Sequence, residues 1–127
     1  MPRDHLTSLT AKGQAPFCER YSIAGTLTVG TGLARVYFNR DITITNVSAS
    51  VGTAPTGASL IFDVNKSGTT IFTTQGNRPS IAASAYTDLT SIPDVTAVTT
   101  SDYLTIDVDQ IGSTVAGAHA TITIWYY

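Results

Sequence analysis

The chain has 127 residues, 13% of them charged, a formal net charge of −2 and one cysteine. That length fits one domain, burying about two thirds of the surface its unfolded form exposes, and makes a second independent core unexpected. Low charge together with 22 threonines favours strands over helices and excludes a disordered chain, because β-branched residues pack well on a pleated surface.

Cys18, as the lone cysteine, has no intramolecular disulfide partner. Arg3, Asp4, His5, Lys12, Glu19 and Arg20 break up the first thirty residues, which is not the pattern of a signal-peptide core. No run approaches the roughly 20 apolar residues of a membrane helix. The expectation is a product made soluble in the cytoplasm, with no membrane partner. All seven Lys and Arg lie at or before Arg78, leaving that part at +3 and the rest, with Asp88, Asp94, Asp102, Asp107 and Asp109, at −5. Either the strand order segregates charge by chance, or the molecule carries complementary faces for a repeating assembly. No basic stripe interleaves with aromatics, so nucleic acid is not an expected partner.

Residues 1–22 show no strand alternation, and Leu6, Leu9 and Phe17 are their sizeable anchors. They read as an extended arm for particle or subunit attachment, with a short helix over Asp4–Lys12 possible if Asp4 caps it. Residues 23–127 read as one β-sandwich domain. Ile23–Val29 and Leu33–Phe38 are strands about a Gly30-Thr31-Gly32 turn. Ile42–Val51 follows, and its apolar phase changes: Ile42 and Ile44 share one face, whereas Val47, Ala49 and Val51 share the other. A bulge near Thr45-Asn46 reconciles them.

Next comes a hairpin, Leu60–Val64 and Thr70–Thr74, about Asn65-Lys66-Ser67-Gly68. The spacing predicts a type I turn, with Asn first and Gly fourth. Gln75–Asp88 is the longest irregular stretch, expected to be functional or a packing flap. Thr87–Thr100 contributes one or two short strands around Pro93. In Tyr103–Gln110, Leu104, Ile106 and Val108 alternate with Thr105, Asp107 and Asp109, whose face is expected to be solvated or interfacial. After a turn at Gly112–Gly117, Ala118–Tyr127 closes the sheet with Ala120, Ile122, Ile124 and Tyr126 on one side. The expected fold is all-β, an antiparallel β-sandwich of jelly-roll type with about eight strands and no internal repeat.

Candidates for chemistry are few. His5 and His119 are the two histidines, and no Gly-x-Ser-x-Gly elbow or His-Glu-x-x-His pair occurs. A Cys18–His119 pair is conceivable, but Cys18 beside Phe17 reads better as a packed hydrophobe. Asp102, Asp107 and Asp109, joined by Asp63 if its strand is adjacent, are candidate calcium ligands, since hard cations take carboxylate oxygens. No glycine-acid loop surrounds them, and a hydrated face is the preferred reading. No catalytic residue, metal or cofactor is therefore expected. Trp125, Tyr126 and Tyr127 could close the core, anchor a subunit interface or stack on sugar rings.

The stretches "GTAPTGASLIFDVNK", "TTIFTTQGNRP" and "YLTIDVDQIGST", with the closing "ATITIWYY", resemble the β-sandwich domains of tailed-bacteriophage virion proteins of the capsid-decoration, head-fibre and tail-fibre type. The resemblance spans about Ile23 to Tyr127. It implies a non-enzymatic virion protein, often trimeric, attached through an N-terminal segment. Because no long shaft precedes the domain, a capsid decoration protein is the expected role, with the major capsid protein and its own copies in a homotrimer as partners. The alternative is a receptor- or glycan-binding module of a tail or head fibre, using the 75–88 loop or the terminal aromatics. The expected interaction residues are Leu6, Leu9, Phe17, Trp125, Tyr126 and Tyr127.

Overall fold

The computed structural model describes residues 17–127. Their strands are β1 (Phe17–Thr26), β2 (Arg35–Val36), β3 (Ile42–Thr53), β4 (Leu60–Lys66), β5 (Thr69–Thr70), β6 (Ser80–Ile81), β7 (Thr87–Ser91), β8 (Ala97–Val98), β9 (Leu104–Gln110) and β10 (Ala118–Tyr126). Pairing is antiparallel throughout and nested: β1 with β10, β2 with β9, β3 with β7 and β8, and β4 with β5 and β6. Two further pairings, β10 with β3 and β9 with β4, complete the sheets β1-β10-β3-β7 and β2-β9-β4-β5. One long hairpin rolled over on itself produces this order, which is the jelly roll. β5 and β6 occupy one edge of β4, and β7 and β8 one edge of β3, so the ten segments fill the eight strand positions expected.

The inner faces meet in a single core. Val47, Ala49, Val51, Ala120, Ile122 and Ile124 come from the first sheet, and Leu60, Phe62, Val64, Leu104, Ile106 and Val108 from the second. Each such Leu, Ile or Phe, fully buried, contributes about 1.5–3 kcal/mol. The phase change in β3 is real. Trp125 faces Asn46 while the next residue, Tyr126, faces Ile44, so Thr45 is the extra residue of a bulge. That insertion lets Ile42 and Ile44 share the core with Val47, Ala49 and Val51.

Three expectations change. The arm does not extend to residue 22: Phe17–Ser22 forms the first part of β1, with Phe17 opposite Tyr126 and Ser22 opposite Thr121. Its alternation escapes the eye because an edge strand at a half-covered flank leaves Tyr21 and Ile23 only partly buried. The rest of the arm, including Leu6, Leu9 and the Asp4–Lys12 helix, lies outside the described residues. The hairpin turn is also one step further on. Lys66 pairs with Thr69, and Ser67 and Gly68 both have positive φ, the requirement of the tight primed turn whose twist suits antiparallel strands. Its second strand is short, since Ile71 and Phe72 both turn into the core.

The third change concerns Leu33–Phe38, which pairs in regular fashion only over Arg35–Val36. The chain before it still runs along β9, with backbone bonds from Gly30 to Val108 and from Leu33 to Ile106. Gly32, at φ 63°, turns its N–H onto Asp107 Oδ1 at 2.9 Å. Asp107 is consequently buried, and the face of β9 expected to be solvated is partly covered.

Candidate functional site

The three terminal aromatics separate. β10 alternates, so Trp125 faces outward from the first sheet while Tyr126 turns inward, and Tyr127 is held by backbone bonds to Thr43. Around Tyr126 an aromatic cluster closes one end of the sandwich. Phe17 stacks on it at 5.8 Å between ring centroids, and Phe38 meets it edge-on at 5.2 Å. The Arg40 guanidinium lies 5.1 Å from the Phe17 ring centre and 5.9 Å from that of Tyr126, within cation–π range. Phe17 remains 45% exposed. Phe17 and Tyr126 are thus together, as core closure with one exposed ring, while Trp125 belongs to another surface. Nearby, the Tyr21 hydroxyl is buried without a hydrogen-bond partner among the described residues. Burial pushes its phenol far up, with Glu19 and then Tyr126 adding to the shift.

Trp125 stands at the end of a hollow of about 380 Å3 on the outer face of the first sheet, lined by Arg20, Ser48, Ser50, Leu89, Thr121 and Thr123 among others. Strand register explains its shape. Arg20 lies opposite Thr123 and Thr123 opposite Ser48, while Ser22, Thr121 and Ser50 form the adjacent row. Small hydroxyl side chains make the floor, and Arg20, Trp125 and Leu89 make the walls. The indole N–H is directed at Ser48 Oγ, 3.4 Å away. Arg20, Ser48 and Leu89 were not among the expected site residues. Arg20 lies in a segment whose sequence carries no strand signal, whereas the outward alternation of Asn46, Ser48 and Ser50 is a visible signal of the same face.

The acidic residues are engaged in structure. Asp63 Oδ1 accepts from Val64 N and Thr70 Oγ1, and Asp107 Oδ2 accepts from Asn65 Nδ2. Asp109 pairs with Arg78 at 2.7 Å, joining the acidic later part of the chain to the basic earlier one. Asp102 accepts from Thr99 N, Thr99 Oγ1 and Ser67 Oγ, and these backbone and hydroxyl bonds hold its carboxyl below the usual range. No group of three His, Cys, Asp or Glu is placed to hold a metal among the described residues. Cys18 sits opposite Trp125, six residues along β10 from His119, or about 20 Å by strand rise, so the conceivable pair does not form. His119 Nδ1 instead accepts from Gly25 N at 3.2 Å.

The 75–88 loop packs as a flap. Pro79 O accepts from Phe62 N, and Ser80 N donates to Asp88 Oδ2. It borders a polar hollow of about 370 Å3 in which Arg78 is already committed to Asp109 and to Gln75 O. Besides Phe17, Leu89 and Val115, large apolar side chains are exposed near the outer strand of each sheet. Val29, Leu33 and Tyr37 flank β2, the outer strand of one sheet, and Tyr86 and Ile92 flank β7, the outer strand of the other. No family model matches the sequence, and no curated protein matches it.

Proposed function

We propose that this chain is a non-enzymatic structural protein of a bacteriophage particle, acting in the virion as a capsid decoration protein. The reading rests on the resemblance of the 23–127 region to phage virion domains, and one observation supports it most. Exposed apolar side chains lie near the outer strand of each sheet, Val29, Leu33 and Tyr37 near β2 and Tyr86 and Ile92 at the two ends of β7, between 46% and 62% exposed. A ring of identical subunits closes by heterologous contacts, in which one patch meets a different patch of the next copy. Apolar side chains at two different edges would supply that pair for a homotrimer, and the remaining surface and the N-terminal segment are left to meet the major capsid protein. Reinforcement is then mass action: a partner that binds only the assembled shell stabilises it.

Quantitative mass spectrometry of purified particles tests the reading. Decoration requires copies equal to, or a simple fraction of, the major capsid protein. A handful of copies per particle would overturn it and place the chain in a tail or fibre. In solution, sedimentation should give a trimer that Tyr37→Asp and Ile92→Asp each dissociate, because each removes one of the two patches.

A further inference from the structure

We propose that the hollow on the outer face of the β1-β10-β3-β7 sheet binds a saccharide carrying a carboxylate. This goes beyond the particle role and does not depend on it. The floor is built from Ser48, Ser50, Thr121 and Thr123, four hydroxyls from two adjacent strands in two register-matched rows. Ser50 and Thr121, both half-buried, and Thr123, already 7% exposed at the bottom of the floor, make no side-chain hydrogen bond among the described residues, and Ser48 has only the long one from Trp125. An apolar protein surface seated here would bury those hydroxyls unpaired, at a cost in free energy. A polyhydroxyl ligand would pair instead with the accessible ones, Ser48, Ser50 and Thr121. Rows on one strand face repeat about every 7 Å, and neighbouring strands lie about 4.8 Å apart, so the floor suits one or two pyranose rings.

The walls narrow the class further. Trp125 offers an indole, whose electron-rich face attracts the polarised C–H face of a sugar ring. Its N–H, directed at Ser48, ties the ring to the floor. Leu89, 62% exposed, forms the apolar wall on the β7 side. Across the floor, Arg20 is the one formally charged side chain lining the hollow, and it makes no ion pair among the described residues. An exposed guanidinium at the rim of a hydroxyl floor matches a carboxylate by charge and by its forked donors. Few convergent polar groups around an apolar wall, in a hollow of this size, make a small-ligand site.

The test is a titration of the full chain followed by NMR of the Trp125 indole N–H and the Ser50 and Thr121 amides. The probes are trigalacturonate, sialyllactose and, as the neutral control, galactotriose. At least one acidic probe should shift those three signals with a dissociation constant in the millimolar range or better, and galactotriose should bind about tenfold more weakly. Arg20→Gln should bring the acidic probe down to the neutral level, whereas Thr121→Val should weaken both. Both positions face outward, so unchanged thermal melts will show that the fold is intact. The proposal is overturned if neither acidic probe moves these signals at about 10 mM, if the shifts map elsewhere, or if the neutral sugar binds as well. None of these results bears on copy number in the particle, so the two readings fail separately.

Discussion

Asp63 and Asp107 stand directly opposite each other on β4 and β9, and both are buried, at 6% and 9% exposure. Like charges in that position oppose pairing. The strands tolerate them because each carboxylate has its own donors, Val64 N and Thr70 Oγ1 for Asp63, Gly32 N and Asn65 Nδ2 for Asp107. The compensation at Asp63 is partial. Burial pushes its carboxyl up, and Asp109 adds to this, while the bonds from Thr70 and Val64 and the charge of Arg78 oppose it.

Asp63→Asn should therefore raise stability at pH 7, by up to about 1 kcal/mol, since the amide oxygen still accepts from Thr70 and Val64. Between the raised folded value and the ordinary carboxyl value near 4, the folded chain takes up a proton that the unfolded chain does not. Wild-type stability from this group accordingly grows as pH falls through that window, and the variant lacks the increase. Urea midpoints at steps from pH 7 to pH 4 measure both effects. A lower midpoint for the variant at pH 7 would contradict this account.

Asp102 has the opposite sign. Its carboxyl is held low by Thr99 N, Thr99 Oγ1 and Ser67 Oγ, so its contribution is complete above the ordinary carboxyl value and disappears as pH falls through the lowered one. Asp102→Ala should lower the urea midpoint at pH 7 and flatten the acid limb of the profile below about pH 4. Because Asp102 ties the 99–102 turn to the tip of the β4–β5 hairpin, hydrogen exchange at Ser67 N, which donates to Tyr103 O, should quicken in the same variant.

Gly112 is required by close approach. A β-carbon there would run into the Val115 carbonyl oxygen and the Thr56 backbone, where the loop leaving β9 crosses the 53–57 segment. None of those atoms is the movable end of a side chain. Gly112→Ala should cost about 1–3 kcal/mol or more. Gly76→Ala, with open space around the same carbon, is the control and should stay within about 0.5 kcal/mol.

Phe62 reports on the joint between the sheets. It is wholly buried on β4 among residues of both layers. Phe62→Ala should cost about 3–5 kcal/mol, a large part of the stability of a domain this size, and lower the melting temperature by well over about 10 °C. Calorimetry checks this directly. A fall of only a few degrees would mean that the two sheets do not share one cooperative core.

Much of the fold was legible because alternation is local. The inward sets of β4, β9 and β10 and the bulge that brings Ile42 and Val47 to one side follow from a period of two, read within ten residues. The place of the hairpin was legible for the same reason. Its turn type was not, because the final register of Lys66 with Thr69 is set by where Ile71 and Phe72 must turn inward.

Alternation within β3, β4, β9 and β10 marks which of their sides faces the core. What lies over the other side follows from pairing between distant parts of the chain, which no local pattern encodes. Phe17–Ser22 is a strand because β10, a hundred residues later, offers it an edge. Asp107 is buried because Gly32 folds across a face that alternation marks as outward. Arg20, Ser48, Leu89 and Trp125, from four strands, share one hollow because rolling the long hairpin brings β1, β10, β3 and β7 side by side. No pattern within any one of those strands contains that neighbourhood.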